Sequence, residues 1–280
     1  MLKGYLNIIR PVNSIVAGFA VLLGIIIAKG MIPYESLIMI PLVAAITAAG
    51  NVINDYCDRE IDAVNRPKRP IPSGAVSPKG AIIFSAALFL IGILISIFIN
   101  SLCLGIAVFN SFLLVIYAKK LKIMPLIGNI AVSYLSASIF LFGGAFFGFD
   151  GLYQNTVVFF ITFFAMLSRE LLKDAEDIKG DMEGGAKTLP ILIGVKKTGQ
   201  ISFILAAFGV IISLLPLLRF WGPYYIILIL AADAVILYAA FKGMMAEDSE
   251  SLIKSNATSL LKKGMFLALL IFLISAVFLG

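Results

Sequence analysis

Residues 36–62 read SLIMIPLVAAITAAGNVINDYCDREID, uncharged from Ser36 to Asn54 and acidic from Asp55 onward. As a helix, the 19 uncharged residues would rise about 28 Å at about 1.5 Å each, close to the roughly 30 Å of hydrocarbon in a bilayer. The stretch therefore reads as a membrane span that ends in carboxylates. Its acidic end has a counterpart. Residues 174–181 read Asp174-Ala175-Glu176-Asp177-Ile178-Lys179-Gly180-Asp181, so Asp-x-x-Asp-x-x-x-Asp occurs as Asp55, Asp58, Asp62 and again, 119 residues on, as Asp174, Asp177, Asp181. In a continuous helix, steps of three and four stack the three carboxylates of each run on one face. Like charges stacked that way repel unless a cation sits between them. Two such faces meeting would suit Mg²⁺, a hard ion that takes one or two carboxylates and completes its shell with water and phosphate oxygens.

Composition agrees with the span. The chain has 280 residues, of which 61% are hydrophobic and 14% charged, with a mean hydropathy of +1.05; globular domains are about 25% charged. This predicts an all-α, polytopic membrane protein. The net charge of +6 is spread between apolar spans with no long basic tract, which argues against nucleic acid and for an anionic lipid surface or a phosphorylated substrate. Cys57 and Cys103 form no framework, and no disulfide is expected. With no histidine, acid/base work falls to Asp, Glu, Lys, Tyr or water.

Uncharged runs cover Val12–Ala28, Ser36–Asn54, Gly80–Ala118, Ile123–Phe149, Gly151–Ser168, Thr198–Leu218, Phe220–Phe241 (interrupted by Asp233) and Gly264–Gly280. Gly80–Ala118 is twice the length one crossing needs and carries Asn100-Ser101 at its middle, so it divides in two. The expectation is nine transmembrane helices around a central cavity, in a single domain spanning residues 1–280. With the N-terminus inside, 20 of the 22 Lys and Arg fall on the inner side, leaving only Lys29 and Arg219 outside. That asymmetry predicts a multi-pass protein of the cell membrane, N-terminus in and C-terminus out, with both acidic runs on the cytoplasmic side. Arg66-Pro67-Lys68-Arg69-Pro70-Ile71-Pro72-Ser73-Gly74 follows the first run and Gly184-Gly185-Ala186-Lys187-Thr188-Leu189-Pro190 the second. Both are Pro/Gly loops with basic residues, which reads as a weak internal repeat. The Gly143-Gly144 pair suits close helix packing or an apolar wall.

Charged helix ends are common, but ten of the sixteen acidic residues lie in these two short segments, and the repeated spacing points to metal binding. Asn54, one helical step before Asp58, adds a neutral oxygen; Asn51 lies one turn further into the span. Topology alone accounts for Lys119, Lys120 and Lys122. Their functional reading, with Tyr117, is phosphate binding at the end of the fourth span, and Arg66, Arg69, Lys68, Lys173 and Lys187 are similar candidates. Asn13, in Arg10-Pro11-Val12-Asn13, either starts a helix or offers an amide to a cavity. Asp233, an intramembrane carboxylate, reads as structurally paired or protonated.

Together, Asn54-Asp55-x-x-Asp58-x-x-x-Asp62, the Arg66-to-Gly74 loop, Asp174-x-x-Asp177-x-x-x-Asp181 and Lys187-Thr188-Leu189-Pro190 resemble the UbiA superfamily of membrane prenyltransferases over essentially the whole chain. The resemblance implies transfer of a polyprenyl chain from its diphosphate to an acceptor, with two Mg²⁺ ions bridging the diphosphate. Asn54, Asp58, Asp177 and Asp181 match the principal metal ligands, and Asp55, Asp62 and Asp174 supporting ones. Asp58, Asp177, Tyr117 and Lys120 correspond to the catalytic set. Asn13, Asn51, Arg66, Arg69, Lys119, Lys120, Lys122, Lys173 and Lys187 would bind substrate or diphosphate.

Within the family, the chain looks most like the archaeal branch that adds a geranylgeranyl group to geranylgeranylglyceryl phosphate, making the second ether bond of archaeal lipids. Its partners would be a prenyl diphosphate, a lipid-like phosphorylated acceptor and membrane lipids, with no nucleic acid. The alternative is an aromatic acceptor in quinone synthesis. Two other classes fit less well. A cation transporter would bind its ions near the midplane, and a CDP-alcohol phosphotransferase would carry an Asp-Gly-x-x-Ala-Arg run that this sequence lacks.

Overall fold

A computed structural model describes residues 2–215 and 221–278. Arg219, the ends of the seventh and eighth apolar runs at Leu218 and Phe220, and the last residue of the ninth run, Gly280, lie outside the described residues. Among those described there are helices and turns but no strands.

The helices are α1 Leu2–Ile8, α2 Pro11–Lys29, α3 Met39–Cys57, α4 Arg59–Asn65, α5 Pro78–Ile97, α6 Ser101–Lys119, α7 Ile127–Ala145, α8 Gly148–Gln154, α9 Thr156–Glu176, α10 Ile178–Glu183, α11 Leu189–Ile193, α12 Val195–Ser213, α13 Gly222–Met245, α14 Ser249–Ser255 and α15 Ala257–Phe278. Eight segments are long and apolar enough to cross a membrane, or nine if α8 and α9, separated at Asn155, make one span. They fall on the nine expected apolar runs. The protein is thus an all-α, multi-pass membrane protein. The 39-residue apolar run divides where expected, because the Asn100 side chain accepts from the Cys103 amide (2.8 Å) and so starts α6. Its Nδ2 donates to the Ala145 (2.8 Å) and Phe146 (3.2 Å) carbonyls.

The chain forms two compact units, Met1–Leu121 with Ile139–Tyr153, and Lys122–Ser138 with Gln154–Gly280. In the first, α3 packs against α2, α5 and α6; its core includes Val21, Ile25, Met39, Leu42 and Phe142. In the second, α9 packs on α12 and α15, and α13 on α12 and α15, around Leu172, Ile236, Leu252 and Leu261.

Large apolar side chains stay on the outside, Phe98 being 88% exposed and Phe278 77%, as expected where the solvent is lipid. Small residues let the helices touch. A Cβ on Gly143 would stand 2.5 Å from the Val21 carbonyl oxygen, and one on Gly199 2.5 Å from that of Gly243, so α2 meets α7 and α12 meets α13 backbone to backbone. The Gly143-Gly144 pair is therefore a packing feature. Serine hydroxyls staple the same layers: Ser85 donates to the Ala49 carbonyl, and Ser202 to that of Ser168, each at 2.9 Å. Asp233 is paired, its Oδ2 2.7 Å from Ser213 Oγ, while Tyr225 donates to the Ser213 carbonyl. Neither cysteine is in a disulfide.

Candidate active site

Each acidic run was expected to be one continuous helix, but each divides at its middle aspartate. In the first, α3 stops at Cys57 and α4 starts at Arg59, with Asp58 as the joint (φ −86°, ψ 0°). In the second, α9 stops at Glu176 and α10 starts at Ile178, with Asp177 as the joint (φ −89°, ψ 6°). The middle aspartate of each run still bonds on both sides. The Asp58 amide donates to Asn54 and the Asp62 amide to Asp58, at 2.9 and 2.8 Å; those of Asp177 and Asp181 donate to Lys173 and Asp177, both at 3.0 Å. The helix is nevertheless interrupted at that one residue, so each middle carboxylate leaves the chain where a long helix gives way to a short one.

In the first run, Asp55 and Asp62 are 4% and 5% exposed. Asp55 Oδ1 accepts from Arg10 Nη2 at 2.6 Å and Arg69 Nη1 at 3.2 Å, and Arg69 Nη1 also donates to Asp62 Oδ2 at 2.6 Å. The loop after the run thus folds back on it, neutralising two of its three carboxylates. Breaking a fully buried pair by removing one partner costs about 3–5 kcal/mol, because the other charge is stranded; here the side chains of Arg69 and Arg10 are 20% and 35% exposed, which lowers the cost. Asn54 Nδ2 donates to Asp58 Oδ2 at 3.0 Å, placing an amide and a carboxylate one turn apart. Asn51 is bound internally, its Nδ2 donating to the Ile9 carbonyl (3.1 Å) and reaching Ser14 Oγ (3.4 Å).

In the second run, Asp174 Oδ2 accepts from Asn129 Nδ2 at 2.8 Å. Burial pushes the Asp181 carboxyl above its ordinary range. The neighbouring Thr188 hydroxyl, short of full hydrogen-bond geometry, pulls the other way, while Asp177 adds to the rise. Asp177 is exposed. The end of α9 is tied to the last hairpin: Glu176 accepts from Thr258 Oγ1 at 2.5 Å, and Ser249 Oγ donates to the Glu176 carbonyl at 2.8 Å. The Lys187 amide donates to the Ile123 carbonyl (3.1 Å), fixing the loop that carries Thr188.

Among the described residues no three His, Cys, Asp or Glu side chains converge to cage a metal on their own. Asn54 with Asp58, and Asp177 with Asp181, are hard oxygen donors one turn apart. They fit Mg²⁺, which binds through one or two carboxylates plus substrate phosphates, rather than Ca²⁺ or zinc. Of the expected phosphate-binding residues, Arg66, Lys119, Lys120, Lys173 and Lys187 are exposed, and Lys122 and Tyr117 half-buried. Asn13 is exposed and apart from the ion-pair knot. Arg10 was expected only as part of a helix start, and Asn129 was not singled out. The signal for Asn129 is the offset itself, since it lies 119 residues beyond Arg10.

The model of the UbiA prenyltransferase family matches residues 17–278. The chain belongs to this family. It is therefore a membrane prenyltransferase. The digeranylgeranylglyceryl phosphate synthase of Methanoculleus marisnigri is 50% identical over 275 residues, covering 98% of this chain and 99% of that one. The same-named protein of Methanospirillum hungatei is 52% identical over 276 residues, 98% of both. A solved digeranylgeranylglyceryl phosphate synthase superposes with a TM-score of 0.89 at 37% identity, covering 99% and 98% of the two chains. A UbiA homolog from Archaeoglobus fulgidus, bound to GPP and Mg²⁺, shares the fold at TM-score 0.67 and 16% identity, over 94% and 99% of the chains.

Proposed function

We propose that this UbiA-family member transfers a geranylgeranyl group from geranylgeranyl diphosphate to the free glycerol hydroxyl of geranylgeranylglyceryl phosphate. The second ether bond of archaeal membrane lipids forms, and pyrophosphate is released. The observation that carries the reading is the 50–52% identity, over nearly the whole of both chains, to digeranylgeranylglyceryl phosphate synthases. The two compact units then act as one catalytic domain.

Asn54 and Asp58 would hold one Mg²⁺, and Asp177 and Asp181 another. The metal supplies charge neutralisation as the bond between C1 and the diphosphate oxygen breaks. Asp55, Asp62 and Asp174 keep those ligands in place. Arg69 belongs with them, since its Nη1 serves both Asp55 and Asp62, and it is better assigned to holding the run than to binding diphosphate. Lys119, Lys120, Lys122, Lys173, Lys187 and Arg66 supply positive charge for the diphosphate and the acceptor phosphate, with Tyr117 as a hydrogen-bond donor. The acceptor hydroxyl oxygen attacks C1 and loses its proton, and apolar helix faces keep water from the allylic cation. The site faces the cytoplasm in this reading, which the distribution of Lys and Arg supports.

The test offers purified protein, Mg²⁺ and geranylgeranyl diphosphate three acceptors: geranylgeranylglyceryl phosphate, hydroxybenzoate and dihydroxynaphthoate. Products are read by mass. A doubly alkylated glyceryl phosphate that disappears with EDTA is the expected product. Transfer only to a ring would place the enzyme in quinone synthesis, and no transfer to any acceptor would reopen the transporter reading.

A further inference from the structure

The 119-residue offset does not stop at the aspartates. Arg10 holds Asp55, and Asn129, 119 residues beyond Arg10, holds Asp174. Arg69 holds Asp62, and Thr188, 119 residues beyond Arg69, lies beside Asp181. The partners come from equivalent places but differ in charge. In the first run two of the carboxylates, Asp55 and Asp62, face two guanidiniums at 2.6–3.2 Å and are balanced by them. In the second, Asp174, Asp177 and Asp181 make no ion pair among the described residues; a neutral amide and a neutral hydroxyl take the places of the two guanidiniums, and only the exposed Lys173 acts on Asp174 and Asp181, at longer range.

We infer that Arg10 and Asn129 are equivalent positioning residues for the first aspartate of each run, and that the substitution of neutral partners makes the second run the half that binds its divalent cation first. This rests on the assignment of the two runs to Mg²⁺ proposed above. Asn129 is 7% exposed, so its amide is fixed on Asp174 and leaves that charge in place. Arg10 cancels the charge of Asp55, and does so from a left-handed backbone (φ 49°) that a non-glycine residue adopts at a cost. The first run is therefore pre-shaped but nearly neutral, and should recruit its ion only when a diphosphate adds charge. The second run is strongly negative before substrate arrives.

The test titrates Mn²⁺, a spin-active substitute for Mg²⁺, into purified full-length protein at pH 7.5 without prenyl diphosphate, reading free Mn²⁺ by electron paramagnetic resonance. One ion should bind tightly, and a second should appear only when inorganic pyrophosphate is added. Asp177→Asn should abolish the first binding event, whereas Asp58→Asn should leave it within about two-fold. Asn129→Arg, which moves the chemistry of the first run into the second, should weaken it by at least about ten-fold, the effect of one unit charge nearby at an effective dielectric of about 20. Thr188→Arg does the same from the other partner position, should Asn129→Arg fail to give monodisperse protein. Loss of the substrate-free ion in Asp58→Asn but not Asp177→Asn would overturn the inference, as would unchanged affinity in both arginine variants, or no ion before pyrophosphate. If Mn²⁺ fails to bind even with geranylgeranyl diphosphate present, the assignment of the runs to a metal fails as well.

Discussion

Asp58 and Asp55 are three residues apart, and the same substitution should fail in them for different reasons. Asp58 sits at the joint between α3 and α4; Asp58→Ala should lower turnover by about 10³-fold, the scale expected when a preorganised charge-stabilising group is lost, with little change in melting temperature. Asp177→Ala should behave alike. Asp55→Ala removes the partner of Arg10, which is 35% exposed, so the loss should fall below the cost of about 3–5 kcal/mol for a fully buried pair and still be seen as a lower detergent melting temperature. Similar melting losses in Asp55→Ala and Asp58→Ala would refute this division of labour. The sequence showed the carboxylates because their spacing is local. It could not show the partners, since Arg10 reaches Asp55 across 45 residues and the choice of partner is made by folding.

For the elements, the division of each run at its middle aspartate was hidden because the joint is a single residue, Asp58 or Asp177, whose own amide still bonds four residues back; a pattern of threes and fours cannot report one interrupted turn. Span positions were legible because they depend on length and apolarity alone. Glycine contacts carry their own prediction. Gly143→Leu puts a side chain where the Val21 carbonyl already stands, and should destabilise the first unit by about 1–3 kcal/mol, measured as a melting shift against Gly105→Leu, where a Cβ meets nothing within 4 Å. At the other end of the chain, α14 starts with a capping box, Asp248 accepting from the Ser251 amide at 2.8 Å. That bond holds the Asp248 carboxyl below its ordinary value of 3.8. Its contribution to stability is therefore complete above the unfolded value and is lost as pH falls through the lower folded one. Between pH 8 and 5 the melting difference between wild type and Asp248→Ala should be constant, and it should shrink only below about pH 4, near the unperturbed carboxylate range. A difference that persists undiminished down to about pH 2, well below the carboxylate range, would show that the cap is not carried by the charge.

At the scale of the molecule, the strongest feature of the sequence was the segregation of Lys and Arg, which reports orientation through the cost of carrying charge across the bilayer. It predicts that, in a cysteine-free background, cysteines placed at Ser73 and Glu250 react with an impermeant maleimide only from the cytoplasmic side, and one at Met31 only from outside. Labelling of Ser73Cys from outside would invert the topology and move the site with it. The acceptor is the part least legible in the residues themselves, because exposed lysines serve orientation and phosphate equally well; it is whole-chain identity to proteins named digeranylgeranylglyceryl phosphate synthase, and not spacing, that motivates the proposed acceptor. The most direct test of the central claim is a single-turnover reaction of the purified protein with geranylgeranyl diphosphate and geranylgeranylglyceryl phosphate, counting ether product by mass and pyrophosphate in the same sample. The two should rise one to one, vanish together in EDTA and return together with added Mg²⁺. Pyrophosphate released without ether product, or ether product formed in EDTA, would contradict the account.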